Sequence, residues 1–323
     1  MNRFPHNAKI GLVLGSGGAR GWAHVGALNC LARHRIAPHC VVGTSAGAIF
    51  GSAFAAGRLE FANELAQTLD WRRLFDLFVE INLPRAGLLS GRRIQPLLNE
   101  LAGHNTFAAL NLPFAAVATD LEAEQEVVLD AGSVGEAVRA SIAIPGIFTP
   151  VARNGRLLVD GGLVNPLPVS VARALGAGFV IAVDVNLNSS PLPPLAAPRR
   201  TAPAAAAVGG ADRLALLRKR IDEWTAKLPP LRHASRAALA RWTKSDAKTA
   251  SIFDVLAQSL RLFENQITRT RLALEPPDLL VQPPVGTLQT LEFHRAREAV
   301  AAGDAAMEEA LRRLRLPEPP ARG

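Results

Sequence analysis

The sequence predicts an α/β fold, a mainly parallel central sheet flanked by helices. Three observations carry that reading. Short apolar runs alternate with helix-period segments over most of the chain before residue 189, the pattern of parallel strands joined by crossover helices. A glycine-rich run, Gly15-Ser16-Gly17-Gly18-Ala19-Arg20-Gly21, directly follows the first strand and opens a helix. A second strand leads through Gly43-Thr44-Ser45-Ala46-Gly47 into another helix made of small residues.

In chain order, the first strand is read at Ile10 to Leu14 and the first helix at Trp22 to Ala32. Strands follow at Val41-Val42, Phe114 to Ala118, Glu126 to Leu129, Leu157 to Asp160 and Phe179 to Val185, and helices at Ile94 to Leu101, Glu136 to Ala140 and Val169 to Leu175. Asn154-Gly155, between Val151 and Leu157, has the chemistry of a tight hairpin, so one antiparallel pair carries Asp160 at its exit. Near the C-terminus, Ser251 to Leu274, Leu288 to Ala301 and Asp304 to Leu314 read as helices, with Leu279 to Val281 as a last strand.

Composition divides the chain. A core is expected over 8–188, an insert over 189–250, a helical C-terminal part of the same domain over 251–316, and a tail over 317–323. From Ser189 to Gly210 the chain is largely Pro, Ala and Gly, with little to bury. Between Arg199 and Lys248 twelve Lys/Arg face four acids, a surplus equal to the net charge of +8 of the whole chain, so the basicity is local. Inside it Leu214, Leu217, Ile221, Trp224 and Leu228 form the stripe of an amphipathic helix. Two roles stay open for it: peripheral contact with an anionic membrane through residues 199–248, or packing on the globular body. Without aromatic interleaving, the stretch does not suggest a nucleic-acid partner.

With 323 residues, 49% of them hydrophobic, the chain can bury a core without disulfides or metal. Cys30 and Cys40 are expected as reduced, buried thiols. The uncharged stretch from Cys40 to Gly57 is interrupted by glycines and reads as strand plus packed helix, not a membrane span. The segment from Met1 to His6 lacks the apolar core of a signal peptide, so a cytoplasmic location is expected, with possible contact at the inner membrane face.

The chemistry is read from three motifs. Ser45, on a sharp strand-to-helix turn flanked by Gly43 and Gly47, has the form of an exposed nucleophile. The loop from Ser16 to Gly21 turns successive amides toward one point, as an oxyanion hole requires. The same loop could cradle a dinucleotide pyrophosphate, but that site wants an acid some twenty residues on, and no Asp or Glu occurs before Glu60. For the base, His294 and His24 both sit in helical patterns and read as structural. Asp160 closes an apolar strand before Gly161-Gly162 and can take a serine proton directly if burial raises its proton affinity. Ser133 in Ala131-Gly132-Ser133-Val134-Gly135 is a decoy, because Glu136 three residues on completes a capping box.

Together these residues resemble the patatin-like phospholipase family, in particular its bacterial branch similar to the neuropathy target esterase catalytic domain. The match lies in Ser16 to Gly21, Gly43 to Gly47, the Ala140-Ser141-Ile142-Ala143-Ile144-Pro145 segment with Phe148, and Asp160 to Gly162. It covers roughly Lys9 to Asn186, with a weaker echo from about Phe253. The resemblance implies a three-layer patatin-like fold and a serine acyl-ester hydrolase of phospholipase or lysophospholipase type. Ser45 would be its nucleophile and Asp160 the sole base of a Ser–Asp dyad. Ser16, Gly17, Gly18, Ala19, Arg20 and Gly21 would form the oxyanion loop, with no metal or organic cofactor. Ser16 departs from the glycine many relatives carry, which puts the loop geometry in question. Arg20 would support the loop or the developing charge, or else make a surface contact. The expected substrate is a phospholipid or lysophospholipid. The alternatives are an acyltransferase or thioesterase, and a membrane-associated regulatory or adaptor protein. Oligomeric state is not legible.

Overall fold

A computed structural model describes residues 8–69, 89–186, 252–290 and 292–314. The chain divides into two compact units, residues 1–191 with 259–323, and residues 192–258. The basic stretch 199–248 and its amphipathic stripe lie outside the described residues.

Eight strands form one sheet: β1 Ile10–Leu14, β2 Cys40–Thr44, β3 Phe114–Asp120, β4 Gln125–Leu129, β5 Val151–Arg153, β6 Arg156–Asp160, β7 Phe179–Val183 and β8 Leu279–Val281. Their order is β5-β6-β3-β2-β1-β7-β8, with β4 also paired to β3. From β3 through β8 along that path neighbours run parallel, whereas β4, β5 and β6 are antiparallel. β1, β2 and β7 are buried along their whole length, as a sheet covered on both faces demands. Asn154 (φ 51°) and Gly155 (φ 73°) turn the β5–β6 hairpin that carries Asp160 to the end of β6.

Helices cover both faces. Against one pack α1 (Trp22–Arg33), α2 (Ala46–Ala55), α3 (Leu59–Thr68), α4 (Gln95–Leu101), α5 (Val134–Ser141) and α8 (Ala296–Arg313). The other face is covered by α6 (Val169–Ala174) and by Leu272 of α7 (Ile252–Leu274). No helix was expected at α3, where Ala62 and Ala66 are buried and Leu59, Phe61 and Leu65 pack half-buried beside them. Ser133 caps α5 as expected, accepting the Glu136 N–H at 3.4 Å.

The C-terminal helices differ from expectation. One helix, α8, replaces the expected pair at Leu288–Ala301 and Asp304–Leu314. Gly303 does not break it. A Cβ there would meet the Ala23 backbone, and one at Gly26 would meet the Val300 carbonyl, so the two glycines let α1 and α8 cross closely. Residues 288–290 stay out of the helix because their carbonyls are engaged elsewhere. Leu288 O accepts from Arg20 Nη1 at 3.2 Å and Thr290 O from Ala19 N–H at 2.9 Å. The α1–α8 contact also carries an Arg33–Asp304 ion pair (2.5 Å) and a His34–Glu308 hydrogen bond (2.8 Å), with the Cys30 thiol donating to Glu308 at 3.5 Å and Arg312 at its other oxygen. Both cysteines are free and buried. Among the described residues no helix is long and apolar enough to cross a membrane.

Candidate active site

The ends of β2 and β6 bring together the two residues singled out in sequence. Ser45 Oγ donates to Asp160 Oδ2 at 2.6 Å across a separation of 115 residues, and both side chains are buried. Ser45 follows β2 directly and caps α2 with φ 56° and ψ −118°, a conformation rare for a residue with a side chain. The turn closes because its flanks are glycines. A Cβ at Gly43 would strike the Gly47 carbonyl, and one at Gly47 would strike Leu14 O. Gly161 packs similarly against Val117 O.

Asp160 is held on every side. Its Oδ1 accepts the Gly162 N–H at 2.8 Å, its carbonyl accepts the Thr119 hydroxyl at 2.8 Å, and its N–H donates to Ala143 O at 3.0 Å. Burial pushes its carboxyl up to about 7, helped by the nearby charge of Glu264 and opposed by the hydrogen bonds from Ser45 and Gly162.

The glycine loop crosses above α2, with Gly21 against Ala46. Its amides are not equivalent. Ser16 N–H donates to Pro166 O (2.8 Å), Ala19 N–H to Thr290 O (2.9 Å) and Arg20 N–H to Gly17 O (3.2 Å). Gly17 and Gly18 are the loop positions whose N–H groups meet no acceptor among the described residues, and Gly21 ends the short 3-10 turn Gly18–Gly21. Of the six loop residues expected there, Gly17 and Gly18 thus have backbone amides not engaged by a backbone acceptor among the described residues. Arg20 is not a surface contact: it is fully buried, with Nη2 on Asn186 Oδ1 at 2.8 Å, and burial lowers its pKa to about 10, still cationic at neutral pH. Ser16 takes no left-handed backbone, so a serine is not strained there.

His24 is enclosed with Nε2 on Gly15 O at 2.8 Å, and burial drops it to about 4, so it is a neutral strut beneath the loop. His294 lies in the 3-10 turn Phe293–Arg295.

Three neighbours were not picked out from sequence. Ser141 Oγ accepts the Ser45 N–H at 2.9 Å; its signal was present, since it stands in the segment Ala140 to Pro145. Asn186, three residues past β7, and Glu264, on α7, join the loop, and no local pattern marks either. Beside Ser45, an apolar cavity is lined by Gly18, Trp22, Ala46, Ile49, Phe50, Leu65, Leu69, Ile94, Leu97, Leu98, Leu101 and Phe293.

Comparison with known proteins places this arrangement. The patatin-like phospholipase family model matches residues 12–173, and the chain belongs to that family, a family of lipid acyl hydrolases. An uncharacterized NTE family protein of Mycobacterium tuberculosis is 32% identical over 338 residues, covering 96% of this chain and 93% of the relative. Mouse patatin-like phospholipase domain-containing protein 7 is 35% identical over 183 residues, covering 55% of this chain and 14% of that protein. Among solved structures, VipD from Legionella pneumophila matches with a TM-score of 0.44 and 13% identity, covering 96% of this chain and 68% of that one.

Proposed function

We propose that this protein is a serine acyl-ester hydrolase of phospholipase or lysophospholipase type, working through an acyl-Ser45 intermediate. Asp160 Oδ2 takes the Ser45 proton as Oγ attacks the ester carbonyl carbon. The Gly17 and Gly18 N–H groups and the N-terminus of α2 stabilise the oxyanion. When the tetrahedral intermediate collapses, the C–O bond to the alcohol breaks and Asp160 returns the proton to it. Asp160 then deprotonates a water, which attacks the acyl carbonyl; a fatty acid leaves and Ser45 recovers its proton.

The observation that carries this reading is the 2.6 Å bond between a strained, buried Ser45 and a carboxylate whose proton affinity lies near neutrality. The apolar cavity that begins at Gly18 and Ala46 supports an acyl chain as the group held beside Ser45. The test is labelling with a fluorophosphonate alongside hydrolysis of a short acyl ester and a lysophospholipid. Wild type is expected to label and turn over, Ser45→Ala to do neither, and Asp160→Asn to lose turnover. An inert wild type, or labelling that survives Ser45→Ala, would overturn the proposal.

A further inference from the structure

Glu264 is a charged group acting on Asp160 that the mechanism above does not use. It projects from α7, a helix far from Ser45 and Asp160 in sequence, and it is half-buried. One oxygen, Oε1, lies against Gly162, on the side where a Cβ would stand 3.1 Å from Asp160 Oδ1. Gly162 is also the residue whose N–H holds that same Oδ1 at 2.8 Å. The absence of a side chain at 162 therefore brings two carboxyl groups to one face of one residue. The other oxygen, Oε2, accepts from Asn186 Nδ2 at 3.0 Å, and the Ser16 hydroxyl donates to the same carboxyl group. Asn186 Nδ2 in turn reaches Ser16 O at 3.0 Å and Ser16 Oγ at 3.2 Å, and its Oδ1 receives the Arg20 guanidinium.

Two carboxyl groups this close do not both ionise freely, and the one with more donors and cations keeps its charge. Burial pushes the Glu264 carboxyl up as it does Asp160, and Asp184 adds to the rise, but Glu264 also has the positive charge of Arg20, the Ser16 and Asn186 donors, and Arg261 nearby to oppose it. Asp160 has only Ser45 and Gly162. The negative charge therefore stays on Glu264 over the pH range in which Asp160 takes up and releases its proton. We propose that Glu264 is a positioning residue of the Ser45–Asp160 pair: it clamps the glycine loop through Ser16 and holds a negative charge beside Asp160, which sets the pH at which Ser45 becomes reactive. Ser16 then has a reason to be serine, since a glycine would supply no hydroxyl to the clamp. Glu264 touches no reacting atom; it acts through Asp160 and the loop.

This inference rests on the hydrolase reading for its kinetic test and on a second measurement that does not need turnover. In the full chain, kcat/KM for a short p-nitrophenyl ester is measured against pH. Wild type is expected to gain activity with a midpoint near the Asp160 value of about 7. Glu264→Gln keeps the shape and one acceptor oxygen but removes the charge, so the midpoint should fall by about one pH unit, while Glu264→Asp, which keeps the charge, should stay within about 0.3 unit of wild type. A midpoint unmoved in Glu264→Gln overturns the proposal, because a purely structural role lowers the rate without moving the limb. The second measurement leaves Glu264 intact. With 13C at the glutamate side-chain carboxyls, one glutamate signal should show an inflection over the pH range in which Asp160 titrates, and Asp160→Asn should abolish it; absence of that inflection in wild type overturns the coupling. If wild type hydrolyses no ester and takes no fluorophosphonate, the hydrolase reading fails, and the carbon spectrum decides the carboxyl coupling by itself.

Discussion

The Ser45 N–H donates to Ser141 Oγ at 2.9 Å, and Ser141 Oγ–H donates onward to Val117 O at 2.6 Å. Two residues later the same segment gives Ala143 O to the Asp160 N–H. The end of α5 and the two residues beyond it therefore fix the backbones of both Ser45 and Asp160, and tie them to β3. Ser141→Ala would leave a buried N–H without an acceptor at a turn already strained. We expect a loss of about 1–3 kcal/mol in urea unfolding. Because the turn geometry is what aims Oγ, kcat for a short ester should drop at least about tenfold with KM little changed. An unfolding midpoint and kcat equal to wild type would show that the Ser141 bond holds nothing in place.

Asp160 should weaken the fold it serves. Its carboxyl is raised from an ordinary 3.8 to about 7 in the folded chain, so the folded state binds the proton more tightly than the unfolded state does. The penalty is absent below the unfolded value, grows as pH rises between the two, and is complete above about 7. Asp160→Asn removes the ionisable group, so it should be more stable than wild type at pH 8, by up to about 4 kcal/mol, and gain progressively less toward pH 4. Thermal unfolding across that range measures it. Equal melting temperatures for the two proteins at pH 8 would contradict the raised proton affinity on which the proton-transfer step depends.

Much of this arrangement was legible in the sequence because it is local. The Ser45 turn is written in five consecutive residues, and the β5–β6 hairpin in Asn154-Gly155, since backbone conformations that exclude most side chains leave glycine and asparagine behind. What was not legible depends on contacts between distant segments. The loop amides could be separated into engaged and available only once Pro166 and Thr290 were seen to accept from Ser16 and Ala19. Whether Arg20 supports the loop or makes a surface contact stayed open in sequence, because nothing near it foretells Asn186 or the Leu288 carbonyl. The expected break between Ala301 and Asp304 fails for the same reason, since Gly303 packs against Ala23 on the opposite helix.

That crossing gives a stability prediction independent of the chemistry. Gly26 and Gly303 each bring their own backbone against the other helix, so a methyl group at either position has no room. In an exposed helix interior Gly→Ala stabilises by roughly 1 kcal/mol. Here Gly303→Ala should instead destabilise by about 1–3 kcal/mol, because α1 and α8 must separate to admit it. Denaturant unfolding of the single variant gives the sign, and a gain in stability would refute the close approach.

The cavity beside Ser45 sets the last expectation. Its lining residues are apolar from Gly18 and Ala46 at one end to Leu98 and Leu101 among its more deeply buried positions. An acyl chain entering there gains about 0.8 kcal/mol for each methylene removed from water. Ile49→Trp narrows the space one turn beyond Ser45. If it displaces two methylenes, long-chain esters should lose about 1.6 kcal/mol of transition-state binding, roughly fifteenfold in kcat/KM, while an acetyl ester is nearly unaffected. Comparing p-nitrophenyl acetate with a long-chain ester in wild type and variant makes the measurement. An equal loss on both esters would mean that the acyl chain does not lie in this cavity, and the seat of the substrate would have to be sought elsewhere around Ser45.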